Sequence, residues 1–144
     1  MNLFGMLELA GTALTAERQR AEVVTSNMAN AQTTRTPEGG PFRRQLVLFR
    51  SEHMLQVPFM LATLGNVAMR GVRVDRVVAD PAPPLLRYQP GHPDADDKGY
   101  VAYPAINPLE EMTDLLGAVR AYELNAAAVQ AAKNMITQSL DILR

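Results

Sequence analysis

Residues 112–143 read MTDLLGAVRAYELNAAAVQAAKNMITQSLDIL, and this stretch decides the fold. Its side chains form a ladder with steps of three and four residues. The ladder consists of Met112, Leu115, Val119, Tyr122, Ala126, Val129, Lys133, Ile136, Leu140 and Leu143. All of these except Lys133 are apolar, so the spacing predicts one long helix with an apolar seam from end to end. Asn107, Pro108 and Glu110 provide a cap, a first turn and a capping-box residue for its start.

The N-terminus repeats the pattern. Its ladder is Leu3, Leu7, Ala10, Leu14, Glu17, Ala21, Val24, Met28 and Ala31. Two apolar seams at opposite ends of a small chain can cover each other. The sequence therefore predicts helices over 3–30 and 108–144, packed as an antiparallel coiled-coil-like pair.

The stretch between the helices has strand character. Residues 42–50 and 71–79 are rich in Val, Leu and Phe, and short pairings are predicted at 85–88 and 100–103. The period of 51–70 is ambiguous, and it fits either an inserted hairpin or a contact surface. The predicted class is α+β.

Three segments follow from this pattern. Residues 1–33 form an N-terminal helical segment, 34–106 a β-rich and irregular middle domain, and 107–144 a C-terminal helical segment. The sequence Pro37-Glu38-Gly39-Gly40-Pro41 predicts a turn where the middle domain begins.

Composition excludes several classes of function. The chain has 144 residues, a net charge of −1 and no cysteine, so it has neither a basic stripe for nucleic acid nor a disulfide or thiolate site. We see no run of eighteen apolar residues and no cleaved signal peptide, so we expect no direct membrane insertion. The mixed charge on the polar face of the second helix also disfavours a helix lying on a membrane.

One loop has the side chains of a metal site. His92, Asp94 and Asp96 lie close together, and Asp94, Asp96 and Gly99 match positions one, three and six of a calcium loop. Lys98 at position five and Ala105 at position twelve do not fit that loop. The pattern favours a solvated turn. With no nucleophile, phosphate-loop or zinc-helix motif in the chain, we expect neither an enzyme nor a cofactor.

Glu17 and Lys133 occupy seam positions that favour apolar side chains. If residue 3 lies near residue 143, Glu17 lies opposite about residue 129 and within a turn of Lys133. The sequence does not distinguish a contact between these two side chains from separate exposure of each to solvent.

Three blocks of sequence resemble the flagellar axial proteins. Ser26-Asn27-Met28-Ala29-Asn30 looks like the S-x-N-[LIM]-A-N signature of rod and hook components. Residues 36–43 (TPEGGPFR) and 88–101 (YQPGHPDADDKGYV) are similar to two blocks of the C-type proximal rod proteins. The residues that carry the resemblance are Asn27, Asn30, Pro37, Gly39, Tyr88, Pro90, Gly91, His92, Pro93, Gly99 and Tyr100.

The resemblance implies a structural role. Such proteins pair their terminal helices in an inner layer, hold a small β-rich domain outside it, and stack with copies of themselves and other rod proteins into the shaft that carries torque from motor to hook. It implies a location in the periplasmic rod of the basal body. It also implies export by the flagellar type III apparatus without a cleaved signal, for which Phe42 and Leu46 fit a loose export-gate element.

Assembly is then the expected function, and the packing residues are those of the two seams. They are Leu7, Leu14, Val24, Met28, Leu115, Val119, Tyr122, Val129, Ile136 and Leu140, which contact each other or the helices of neighbouring subunits. Two alternatives remain: a helical-hairpin adaptor that binds other proteins, and a small metal-dependent enzyme built on the 92–97 loop.

Overall fold

The computed structural model describes residues 3–53 and 70–142, and it shows two long helices packed together with two small antiparallel sheets. The elements are α1 (Leu3–Ala29), β1 (Gln45–His53), β2 (Arg70–Ala79), β3 (Leu85–Tyr88), β4 (Tyr100–Tyr103) and α2 (Pro108–Ile142). The predicted α+β class is confirmed. Of the ambiguous stretch 51–70, the ends belong to β1 and β2, and 54–69 lie outside the described residues. Neither described helix is long and apolar enough to cross a membrane.

The start of α2 follows the capping prediction with one difference. The Leu109 backbone N–H donates to Asn107 Oδ1 at 3.1 Å, which satisfies one of the free donors of the first turn. Glu110 Oε1 accepts a hydrogen bond at 3.1 Å from the side-chain amide of Asn107, instead of from its backbone as in a capping box. The cap fixes where α2 begins relative to β4.

The helices run antiparallel, in a register that differs from the one predicted. Asn27 on α1 contacts Glu111 on α2, so residue 3 lies level with about residue 135, not residue 143. Glu17 consequently lies level with about residue 121 and contacts Arg20, with Oε2 and Nη1 3.6 Å apart. The hypothesis that Glu17 meets Lys133 is wrong for this register, because three helical turns separate them.

The helices are flush at one end only. Ala29 ends α1 near the first turn of α2, whereas residues 136–142 of α2 extend beyond the first described residue of α1. All side chains from Thr137 to Ile142 are exposed. The projecting segment is about 10 Å long at 1.5 Å per residue.

The face of α2 against α1 carries small side chains. Its buried residues are Glu111, Ala118 and Ala132, and each precedes by one position a residue of the predicted ladder, such as Val119 or Lys133. The seam therefore lies on the alanine side of that ladder. Apolar spacing shows where hydrophobic residues recur, but it does not show which of them are small enough to let two helices approach closely.

A two-stranded sheet covers another side of α1. β1 pairs with β2 in antiparallel register with a bulge between Leu48 and Phe49, and the Val72 backbone N–H donates to Thr12 Oγ1 on α1 at 3.3 Å. Arg50 and Arg73 face each other across the strands. Each is compensated by its own carboxylate, at 3.2 Å from Asp75 and 3.3 Å from Glu52, which removes the cost of the like-charge pair.

The second sheet pairs β3 with β4 at the predicted positions, Leu85 opposite Tyr103 and Tyr88 opposite Tyr100. Gly99 closes the loop between them with φ +80°, a left-handed conformation that favours glycine. A Cβ at this position would lie 2.9 Å from Tyr88 Cε2 and 3.2 Å from Pro90 Cβ. Both the backbone and the neighbouring rings therefore select glycine here.

We predict that Gly99→Ala lowers the free energy of unfolding by about 1–3 kcal/mol, because it adds left-handed strain and a contact with Tyr88. Urea denaturation followed by circular dichroism measures the change. Gly91→Ala is the matched control, since a Cβ at Gly91 meets no atom within 4 Å. Equal stability of the two variants would contradict this account of the loop.

Candidate functional site

Asn27 is the centre of a buried polar cluster between α1, β1 and α2. Its side chain is 1% exposed, and its amide clamps the backbone of Gln45 at the start of β1. Nδ2 donates to the Gln45 carbonyl at 2.9 Å, and Oδ1 accepts from the Gln45 N–H at 2.8 Å. Asn27 thus pairs with β1 as a strand residue would and joins the end of α1 to the first sheet.

The same amide also reaches α2. Asn27 Nδ2 donates to Glu111 Oε2 at 2.9 Å, and Glu111 is 1% exposed. The other oxygen of Glu111 accepts from Arg44 Nε at 2.6 Å and from Nη2 of the same guanidinium. Burying a carboxylate without such partners is costly, so Glu111 can enter the helix interface only where both Asn27 and Arg44 meet it.

More distant charges surround Arg44. Its guanidinium lies 3.8 Å from Asp114 and 4.0 Å from Asp80, and Arg20 on α1 lies 3.5 Å from Asp114. These contacts are long and partly exposed, so they hold less energy than the contact with Glu111. We call Asn27, Arg44 and Glu111 the polar joint.

The sequence identified only part of the polar joint. Asn27 was named as a signature residue, without a partner. The sequence predicts that Glu111, with Glu110, lies at the positive end of the helix dipole of α2, and it predicts no role for Arg44. Yet Glu111 follows the capping residues on the alanine side of the ladder, where an acidic side chain needs a buried partner.

The loop between β3 and β4 is built from its own polar groups. Asp96 Oδ1 accepts from the backbone N–H of Lys98 at 2.9 Å and of Tyr100 at 2.8 Å, and His92 Nδ1 accepts from the Asp94 N–H at 3.1 Å. Asp94 Oδ2 also accepts from Thr34 Oγ1 at 2.8 Å. Within 3–53 and 70–142, no three His, Asp or Glu side chains are grouped to hold a metal ion.

Aromatic contacts extend this loop into the second sheet. The rings of Tyr88 and Tyr100 meet edge to face at 5.4 Å, and those of His92 and Tyr103 at 6.3 Å. Through Thr34 and Asp94 the loop also touches the segment that follows α1. The family-signature residues of this block therefore lie in one structural unit, in which Pro90, Gly91 and Pro93 are exposed.

The remaining signature residues lie in the segment after α1. Asn30 Nδ2 donates to the Ser26 carbonyl at 2.9 Å, and Pro37 and Gly39 form the predicted turn, with Gly39 at φ +90°. Phe42 and Leu46, the predicted export-gate element, are half-buried at the approach to β1.

The predicted packing residues divide into two groups. Val24 is buried, and the half-buried ones are Leu7, Leu14, Met28, Leu115, Val129 and Ile136. By contrast, Val119, Tyr122 and Leu140 are exposed within the chain. Contact between those three and neighbouring subunits stays a prediction.

An apolar stripe runs along the outer side of the first three turns of α2. It consists of Leu109, Met112, Leu116 and Val119, at steps of three, four and three residues. Leu109 is 72% exposed and Leu116 is 50% exposed. We call these four residues the outer stripe. Large apolar side chains at helical spacing that no described residue covers are typical of a protein-binding surface.

Two family models match the two ends of the chain. A family model described as flagella basal body rod protein matches residues 7–35, and one described as flagellar basal body rod FlgEFG protein C-terminal matches residues 97–142. Each of the relatives below is called flagellar basal-body rod protein FlgC. The Borreliella burgdorferi protein is 42% identical, covering 100% of this chain and 99% of the relative. The Bacillus subtilis protein is 38% identical (99% and 99%), and the Yersinia enterocolitica protein is 37% identical (99% and 98%).

We predict that Asn27→Ala lowers the free energy of unfolding by about 2–4 kcal/mol, because it leaves a buried carboxylate oxygen and the Gln45 backbone without their amide partner. Urea denaturation measures the loss. Asn134→Ala removes an exposed amide that contacts only Gln130 in the described structure, so it should change stability by less than about 0.5 kcal/mol. A small effect at Asn27 would mean that the joint is not a structural centre.

Proposed function

The chain belongs to the FlgC family of flagellar basal-body rod proteins and is a structural component of the flagellar rod, and we propose that it is a non-enzymatic subunit of the proximal rod. In this proposal copies of the chain assemble with other rod proteins into the periplasmic shaft that transmits torque from motor to hook. The outer stripe is the observation that supports this proposal most directly.

The outer stripe supports assembly because nothing within the described chain covers it. Four large side chains on three consecutive turns match the spacing with which one helix packs against another. Burying them against a neighbouring subunit would remove apolar surface from water and favour association. Tyr122 and Leu140, exposed further along α2, would extend the contact.

The division of the chain supports the placement of its parts. We propose that 1–33 and 107–144 form the inner helical layer and that 34–106 forms the outer, β-rich domain. The polar joint connects the two, since Asn27 and Glu111 belong to the helices and Arg44 to the segment leading into β1. A torsional load on α1 or α2 would reach the first sheet through these hydrogen bonds.

Export by the flagellar type III apparatus without a cleaved signal is the finer part of the proposal. Phe42 and Leu46 are half-buried, and the Phe42 N–H donates to the Thr33 carbonyl at 3.0 Å. An export gate that reads both side chains would therefore need the unfolded chain. Recognition before folding agrees with transport of an extended polypeptide.

Deletion and complementation test the assembly role. Deleting the gene in its host should abolish swimming and yield basal bodies that keep the membrane-embedded ring but lack rod and hook, as seen by electron microscopy. The wild-type gene should restore both. Intact basal bodies in the deletion strain would reject the proposal.

The same strain tests the outer stripe. Leu116→Asp should fail to restore swimming while the purified variant keeps its helical circular dichroism, because Leu116 is exposed and its replacement leaves the core intact. Gln130→Asp introduces the same charge at another exposed position of α2 and should restore swimming. Swimming with both variants would show that the outer stripe is not an assembly contact.

The export element has its own test. Phe42→Ala combined with Leu46→Ala should reduce the amount of this protein exported while its cellular level stays normal, because the gate reads these side chains before folding. Leu48→Ala combined with Phe49→Ala, in the exposed part of β1, is the matched control. Immunoblots of cell and exported fractions compare the two pairs, and equal export would remove Phe42 and Leu46 from the proposal.

A further inference from the structure

One row of α2 side chains at the interface with α1 alternates between polar residues and alanine. Glu111, Ala118, Asn125 and Ala132 follow one another at intervals of seven residues, so they share one side of α2. Ala118 and Ala132 are both buried, and alanine also occupies the buried position Ala10 on α1. Sliding α2 by seven residues would place Asn125 or Glu111 at the position of Ala118, and Ser139 or Asn125 at that of Ala132, so along this row polar side chains distinguish one alignment from the next.

The contacts of the polar joint are lost when α2 slides. If Ala118 came level with Asn27, Glu111 would move past the end of α1 and leave both of its partners. If α2 moved the other way, Glu111 would come level with about Arg20, seven residues before Asn27, and Arg44 would lose its nearest carboxylate. Both shifts break the Asn27–Glu111 hydrogen bond and the Arg44–Glu111 ion pair.

We propose that the polar joint sets the register of α2 against α1. A buried polar group in an otherwise apolar helix interface specifies register because it is satisfied in one alignment only. Here the reference point is itself held in place, since two hydrogen bonds fix the Asn27 amide on the Gln45 backbone and Arg44 directly precedes Gln45.

The register determines where α2 presents its outer surface. The outer stripe begins at Leu109, two residues before Glu111, so a slip of seven residues would move it about 10 Å along α1. The proposal concerns the single chain and stands independently of the assembly that the stripe serves.

Distance measurements between spin labels on the full chain test the register. The chain has no cysteine, so Glu22→Cys on α1 and Gln138→Cys on α2 give two labelled sites, both exposed. Glu22 lies level with about residue 116, which places the labels about 33 Å apart along the helix axis. The labelled parent should show one narrow distance by double electron–electron resonance.

The first variant replaces the ion pair with apolar side chains of similar size, Arg44→Met with Glu111→Leu. Because a well-packed apolar pair can replace a buried ion pair without loss of stability, the protein should fold. It should then show a second distance population displaced by about 10 Å, which is one heptad. The control, Arg50→Met with Asp75→Leu, removes the exposed ion pair between β1 and β2 and should keep the single parent distance.

A second variant moves the carboxylate by one heptad, Glu111→Ala with Ala118→Glu. If Asn27 and Arg44 choose the register, they should now hold the carboxylate at position 118 and shorten the distance between the labels by about 10 Å. This variant tests the proposal even where the first one fails to fold.

Three results would overturn the proposal. The Met/Leu variant could keep the single parent distance while its circular dichroism shows it folded. The transplanted carboxylate could leave the parent distance unchanged. Finally, both variants could unfold, which would show that the joint contributes stability and does not choose between registers.

Discussion

One buried carboxylate connects the two helices and the first sheet. Glu111 is 1% exposed in the helix interface, and among the described residues Asn27 and Arg44 offset the loss of its hydration. Those partners come from α1 and from the segment before β1. Helix pairing and attachment of the first sheet are therefore one event, because the carboxylate cannot be buried until both partners are in place.

The buried helix interface and the exposed outer stripe differ in the size of their side chains. Ala118 and Ala132 are buried at the interface with α1, where a short side chain lets the helices lie close. Larger residues such as Leu109 and Leu116 face outward. A chain that used its largest apolar residues for its own core would have little left with which to bind a neighbour. The family membership and the exposed outer stripe thus agree on assembly.

Much of the fold could be predicted from the sequence, because its signals are local. Short runs of strand-forming residues predict β3 and β4 at 85–88 and 100–103, and Asn107 predicts the start of α2. The face of α2 that packs on α1, and its register, could not be predicted, since both depend on contacts between distant residues. Periodicity treats Val119 and Ala118 alike as apolar, and a ladder has no reference point along its axis. That reference point is Asn27. Its role can be recognised only from its position next to Glu111 and Arg44 in the structure.

The unequal lengths of the two helices have a consequence of their own. The end near Ala29 is flush, whereas residues 136–142 extend past Leu3, the first described residue of α1, and no described residue covers Leu140 and Ile142. The two ends of the subunit along the helix axis therefore present different surfaces. Copies stacked along the helix axis meet through unlike surfaces, a contact that repeats without closing and gives every copy the same orientation. The difference between the two ends of a single chain would then be enough to give such a stack a direction.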